Sequence, residues 1–331
     1  MRKDFVNSVS EVMRIERKDL IEKDVILHQL LFDLSKNDFF RENFLFKGGT
    51  CLTKCYLGYY RFSEDIDFTW RKQGEFRGMT QKEVRHYLSP VIGKMGADFE
   101  AIAKKRGMDF SFAKNNRDYV ELGGGNKTLT FKLWYDSEIL NRRSFIKVQV
   151  NFVEDMRFPP AKNTCKSLLG SRVGELEAMF PEEYGAYSER IPFDTYDIKE
   201  IMCEKIRAIL TRRGMKARDF VDVYFVSKKF GITPGSLKKD VVAKTVFALN
   251  LYAKYRDNFG EKKKLLNSKE IFAWGQEKGL LLVDVDEKEF YAFLGRFAEL
   301  MRDIAGDIET KNLKIGIHSV RRAKGPSVPS S

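Results

Sequence analysis

The chain is poor in the residues that bind transition metals or cross-link small folds. Its 331 residues include 4 cysteines, 3 histidines and 8 prolines. Cys51, Cys55, Cys165 and Cys203 form no CxxC pair, and only His28, His86 and His318 could complete a zinc set. Neither a structural zinc site nor a disulfide framework is expected from such a set. No apolar run approaches the ~18 residues that a membrane span requires. The opening residues Met1-Arg2-Lys3-Asp4-Phe5 do not lead into the apolar stretch of a secretory signal, so a cytosolic protein is expected. The signatures GxSxG, GxxxxGK[ST] and HExxH are absent, which removes the usual nucleophile-elbow, P-loop and zinc-peptidase chemistries.

What remains is apolar, aromatic and basic. Hydrophobic residues make up 43% of the chain, with 27 Phe and 13 Tyr, enough for sizeable cores. The length suggests two domains. A formal net charge of +12 favours polyanionic partners such as RNA, DNA or an acidic protein, against the plainer reading of a basic, soluble surface.

Helical spacing of Leu27, Leu30, Leu31 and Leu34 marks the first forty residues as helices. Phe44-Leu45-Phe46 reads as a strand ending at Lys47-Gly48-Gly49, and residues 50–60 as a short helix with Thr50 as its N-cap. Ile66, Phe68 and Trp70 alternate with Asp65, Asp67 and Thr69, the period of a half-buried strand. A helix is predicted over residues 80–106, and strands over 108–113, 127–135 and 145–153. Gly123-Gly124-Gly125-Asn126 reads as a hairpin turn ahead of the second of these. From Tyr196 onward the pattern is almost wholly helical. The division expected is an α/β domain over 1–195, a helical domain over 196–320 and a basic tail of disorder-like composition over 321–331.

The chemistry-bearing constellation is Lys47-Gly48-Gly49-Thr50 followed by Asp65-Ile66-Asp67. On a strand, residues i and i+2 share a face, so Asp65 and Asp67 place two carboxylates side by side. That costs free energy unless a cation lies between them, and hard oxygen ligands suit Mg²⁺, with Mn²⁺ as a substitute. Glycines let backbone amides approach phosphate closely, and a helix starting at Thr50 would add its positive dipole end. Taken singly, a DxD is usually a solvated strand and a GGT a turn; taken together in this order they point to nucleotide chemistry.

The ordered blocks resemble the AbiEii/AbiGii-type toxins of bacterial toxin–antitoxin and phage-defence systems. The resemblance rests on Phe46-Lys47-Gly48-Gly49-Thr50 and Arg61-Phe62-Ser63-Glu64-Asp65-Ile66-Asp67. It rests equally on Glu204-Lys205-Ile206-Arg207-Ala208 with Arg212-Arg213, and on Ala217-Arg218-Asp219-Phe220-Val221-Asp222. It implies a polymerase-β-like nucleotidyltransferase core, a mixed sheet flanked by helices, followed by a helical domain. It also implies an NTP substrate, transfer of NMP to an acceptor, with tRNA or other RNA as one candidate and a protein hydroxyl as another, and a cognate antitoxin. The family's lysine falls on Lys205, which would engage the triphosphate or pyrophosphate, with Arg212 two turns on. The later acid falls on Asp219, with Asp222 one turn further as the alternative. Without the resemblance, Lys205 is a snorkelling helix lysine and Arg218–Asp222 a surface pair at i,i+4.

One departure stands out. The strand that would bring a third carboxylate offers Lys147, Gln149 and Asn151, with Glu154 and Asp155 only at its end. Either one metal suffices, with Lys205 replacing some of the positive charge, or Glu154 or Asp155 swings in as a further ligand; one metal is favoured over two. A non-catalytic nucleotide- or RNA-binding regulator, and a kinase on the same fold, remain as rival readings. Tyr252-Ala253-Lys254-Tyr255-Arg256 interleaves aromatic and basic residues, either to stack bases or as helix core.

Overall fold

The computed structural model describes residues 2–170, 173–266, 272 and 274–323. Helices α1 (Arg2–Met13) and α2 (Lys18–Lys36) come first, and Leu27, Leu30, Leu31 and Leu34 of α2 are all fully buried. Asn37 caps α3 (Asp38–Asn43) by accepting from the Phe40 amide. β1 (Phe44–Lys47) runs straight into α4 (Gly48–Cys51), which continues as a π-helical turn over Leu52–Leu57. The expected N-cap at Thr50 is not observed: the helix starts two residues earlier, with Lys47 at the cap position, and the Thr50 hydroxyl is engaged elsewhere.

β2 (Asp65–Trp70) is followed by α5 (Gln81–Arg106), which opens with a capping box between Thr80 and Glu83. β3 (Val120–Gly123) and β4 (Thr128–Ser137) form a hairpin across the predicted glycine turn, where Gly124, Gly125 and Asn126 all take positive φ. β5 (Arg142–Asn151) returns antiparallel to β4. The strand predicted over 108–113 does not form. Asp109 makes a single two-hydrogen-bond bridge with Trp134, and the edge of β4 is taken by β3 instead. β6 (Ala161–Cys165), α6 (Gly174–Met179), α7 (Pro181–Ser188) and β7 (Ile191–Thr195) complete the sheet region.

The sheet has seven strands in the order β3-β4-β5-β2-β1-β7-β6, with β1–β7 and β2–β5 parallel and the other neighbours antiparallel. It is a mixed sheet with flanking helices, as expected. Alternation sends Ile66, Phe68 and Trp70 of β2 to the apolar face with Phe46, Val148 and Val150. Aromatic rings fill that layer: Phe40 stacks on Phe44 with centroids 4.6 Å apart, and Phe99 of α5 meets Phe131 at 4.9 Å.

The helical region consists of α8 (Ile198–Thr211), α9 (Ala217–Phe230), α10 (Lys238–Leu251), α11 (Ala253–Leu266) and α12 (Glu287–Ala323). Most of the tail expected to be disordered, residues 324–331, lies outside the described residues. By packing, residues up to Ile201 together with Gly279–Asp284 form one compact unit, and Met202–Lys278 with the residues from Val285 form a second. Within the first, the short segment at 280–282 pairs with 60–62: Phe62 N donates to Leu280 O and Leu282 N to Tyr60 O, each at 2.9 Å. Among the described residues, no helix is long and apolar enough to cross a membrane.

Candidate active site

The polar face of the sheet is built by register. Lys47, Asp67 and Gln149 lie in one cross-strand row, and Asp65 lies beside Lys147 in another. Asp65 and Asp67 are both half-buried and project from the same face of β2. The two carboxylates therefore sit where β1 turns into α4.

Gly48 is what lets them sit there. Its φ is +79°, and a Cβ at this position would strike the Asp67 carboxylate oxygen and come within 2.8 Å of Asp67 Cβ. The Asp67 side chain occupies the space that a residue other than glycine would fill. Gly49 is crowded from another side: a Cβ there would lie 2.8 Å from Arg61 Nη2 and 2.9 Å from Ser63 Oγ. Arg61 is only 2% exposed, and its Nη1 donates to the Phe62 carbonyl at 2.7 Å. Thr50 is buried with its hydroxyl donating to the Asp65 carbonyl at 2.5 Å and lying 2.9 Å from Ser63 Oγ. It ties the helix start to the strand that carries the carboxylates.

Lys47 Nζ is paired with Glu154 Oε1 at 3.0 Å, both side chains being nearly buried, and lies 5.2 Å from the Tyr196 ring centroid. Asn151 Nδ2 donates to the same Glu154 oxygen at 2.6 Å. Glu154, an acid near the end of β5, is thus held by Lys47 and Asn151. The β5 positions in register with Asp65 and Asp67 are Lys147 and Gln149. Among the described residues no group of three or more His, Cys, Asp and Glu side chains converges as metal ligands. The Asp65–Asp67 pair, with its hard oxygens and adjoining glycine gap, suits one divalent cation completed by water and substrate oxygens.

The second unit holds a compact charge cluster. Lys205 Nζ lies 3.0 Å from Asp219 Oδ1 and 2.7 Å from Asp222 Oδ2, and Arg212 Nη1 lies 2.9 Å from Asp219 Oδ2. Lys205 is buried, as are both carboxylates, so the plain reading of Lys205 as a snorkelling lysine and Asp222 as a surface residue is corrected. Burial pushes the Asp219 carboxyl up, but the Lys205 ammonium and the Arg212 guanidinium outweigh it and hold the group below its ordinary range. Two cations and two carboxylates balance, and the most exposed member is the Arg212 side chain, at 43%. The turn bearing Arg212 is held from α11: Asn258 Nδ2 donates to Thr211 O at 2.8 Å, and Lys262 Nζ to the Gly214 carbonyl. Burial lowers the Lys262 pKa to about 8, against the raising effect of Asp219.

Sequence reasoning brought together Gly48, Gly49, Thr50, Asp65 and Asp67 in one unit and Lys205, Arg212 and Asp219 in the other. Lys47, part of the glycine-turn constellation, and Glu154, a candidate third acid, are paired with each other, and Lys147 stands beside Asp65; only strand register and the return of the chain after β5 reveal these contacts. Arg61 and Ser63, under Gly49 and beside Thr50, lay inside a block already singled out.

The layout defines a mixed-sheet α/β protein with paired carboxylates beside a glycine turn. Over residues 29–314 the chain matches the family model described as nucleotidyl transferase AbiEii toxin, type IV TA system. The chain belongs to that family. Membership implies an NTP substrate and an antitoxin counterpart. Among solved structures it is similar to JHP933 from Helicobacter pylori, at 15% identity, covering 89% of this chain and 97% of that one with a TM-score of 0.37. A second H. pylori structure, provisionally described as a nucleotidyltransferase, shares 15% identity over 86% of this chain and 96% of its own, with a TM-score of 0.38. Likenesses this loose carry no argument. No curated protein matches the chain.

Proposed function

We propose that the protein transfers NMP from an NTP to a hydroxyl of an RNA acceptor, tRNA being the first candidate. The observation that carries this reading is the Asp65–Asp67 pair against the gap at Gly48. The acceptor hydroxyl attacks the α-phosphorus, the bond from that phosphorus to the bridging oxygen breaks, and pyrophosphate leaves. The hydroxyl proton passes to a base. A Mg²⁺ or Mn²⁺ ion held by Asp65 and Asp67 would supply charge stabilisation on the phosphoryl oxygens.

The chain's own groups do the rest. Gly48 and Gly49 present backbone to phosphate, and Thr50 acts through its main chain while its hydroxyl fixes Asp65. Lys47, held by Glu154, sets the charge beside Asp67. Arg212, the most exposed cation of its cluster, would take triphosphate charge together with Lys205, and Asp219, paired with both, orients them. Such a toxin would act in the cytoplasm, on the host's own nucleotide and RNA pools, within a toxin–antitoxin or phage-defence system.

The test incubates the protein with each α-labelled NTP, Mg²⁺ and total tRNA. Wild type incorporates label and Asp65→Ala does not; undiminished incorporation by the variant sinks the site. A regulator without chemistry draws on Lys147 and Gln149 standing in register with the carboxylates, and saturable binding without incorporation would favour it. Label passing from the γ- rather than the α-position would mark a kinase.

A further inference from the structure

One motif singled out in the sequence has no part in the transfer chemistry: the aromatic–basic start of α11. Tyr252 and Tyr255 are both half-exposed and meet edge to face with centroids 5.1 Å apart. Lys254 Nζ lies over both rings, 5.9 and 5.5 Å from their centroids, and the Arg207 guanidinium over Tyr255 at 6.0 Å. Arg256 is anchored on the Leu249 carbonyl at 2.6 Å, and Asn258 ties the same helix to the end of α8. Arg207 is itself on α8, two residues from Lys205, held by Glu204 and Thr211 at 3.3 Å each. Two half-exposed rings and the exposed Lys254 and Arg256 thus occupy a surface, with the Arg207 side chain, only 11% exposed, held against Tyr255 on the helix that carries Lys205.

We propose that Tyr252, Tyr255, Lys254 and Arg207 form a stacking platform for an unpaired base of a single-stranded RNA acceptor. The proposal rests on the RNA reading above and adds a contact site to it. Stacking a base on an aromatic side chain contributes more than holding a cation over an exposed ring. Lys254 is exposed, so a base can take its place over the rings while the ammonium moves to the adjoining phosphate. The chain's net charge of +12 complements that phosphate backbone.

Fluorescence anisotropy of a labelled twelve-nucleotide single-stranded RNA, titrated with full-length protein, tests the platform. Tyr252→Ala and Tyr255→Ala should each weaken binding about five- to hundredfold, and Tyr→Phe at either position should restore it. Lys254→Ala, an exposed change outside the core, should reduce the slope of log K against log salt by about 0.7. Alanine variants within twofold of wild type, phenylalanine variants as weak as alanine, or no RNA binding by wild type overturn the proposal. So does an equal loss of affinity for an NTP alone, which would make the surface a nucleotide subsite. Binding needs no chemistry, so a failure of NMP transfer leaves this readout intact. Conversely, transfer to RNA with unaffected alanine variants removes the platform and spares the transferase reading.

Discussion

Adding one methyl group at Gly48 should disable the site more than any other change of that size. A residue with a Cβ at φ +79° costs about 1–2 kcal/mol through the left-handed backbone alone. The new Cβ would also stand 2.8 Å from both Cβ and Cγ of Asp67. β2 cannot retreat, because it is hydrogen-bonded in register to β1 on one side and β5 on the other. The Asp67 carboxylate must therefore rotate away from its place beside Asp65, and the glycine turn must shift to relieve the contact with Asp67 Cβ. A displacement on the order of 1 Å in a positioned catalytic group costs about a hundredfold in rate, so Gly48→Ala should lower NMP transfer by about that factor. The melting temperature should fall by about 2–8 °C, from about 1–2 kcal/mol at about 2–4 °C per kcal/mol. Gly49→Ala is the control, since its φ is not left-handed and the atoms nearest its Cβ belong to the Arg61 and Ser63 side chains rather than to a carboxylate; its loss should stay below about tenfold. Incorporation of α-labelled NTP into tRNA and a thermal melt on each variant decide the matter. Wild-type turnover by Gly48→Ala, or a worse loss in Gly49→Ala, refutes the reasoning.

Asp222→Ala leaves Lys205 buried with one carboxylate fewer and should cost about 3–5 kcal/mol in urea unfolding. Arg212→Ala, at a half-exposed position, should cost about 1 kcal/mol or less; equal losses would contradict the burial argument. Asp219 has a folded pKa below its ordinary 3.8, so between those two values the unfolded chain binds more protons. Its stabilisation is therefore full above pH 3.8 and lost as pH falls through the folded value. An Asp219→Asn variant should lack that acid-side decline. Lys262 has a folded pKa of about 8 against an ordinary 10.5, so the unfolded chain again holds more protons between them. Stability should rise from pH 8 to 9.5 in wild type and rise less in Lys262→Met; identical slopes would remove the assignment. Burial pushes the Cys51, Cys55 and Cys165 thiols up, so iodoacetamide at pH 7.5 should label none of them before unfolding.

The central strands were legible because β2, β4 and β5 alternate apolar and polar residues with period two, and the glycine turns flank them. β6 and β7 were not, since Ala161–Cys165 and Ile191–Thr195 are five residues each, rich in polar side chains and proline. The carboxylate pair could be read from spacing alone, whereas the use of Thr50 depends on the Asp65 carbonyl and Ser63, which only tertiary packing supplies. Asp222 shows the limit of local rules. The i,i+4 pattern offered it Arg218 on a surface, and packing turned it inward onto Lys205.

The backbone pairing of residues 60–62 with 280–282 sets a condition on synthesis. Arg61, which underlies Gly49, lies in a segment whose hydrogen-bond partners are translated more than two hundred residues later. A nascent chain halted before Gly279 has made Asp65, Asp67 and both glycines but lacks the segment that completes their support. The first unit cannot finish folding as a simple N-terminal piece emerging from the ribosome. Stalled or truncated copies of the chain would therefore carry the site's residues without its finished scaffold.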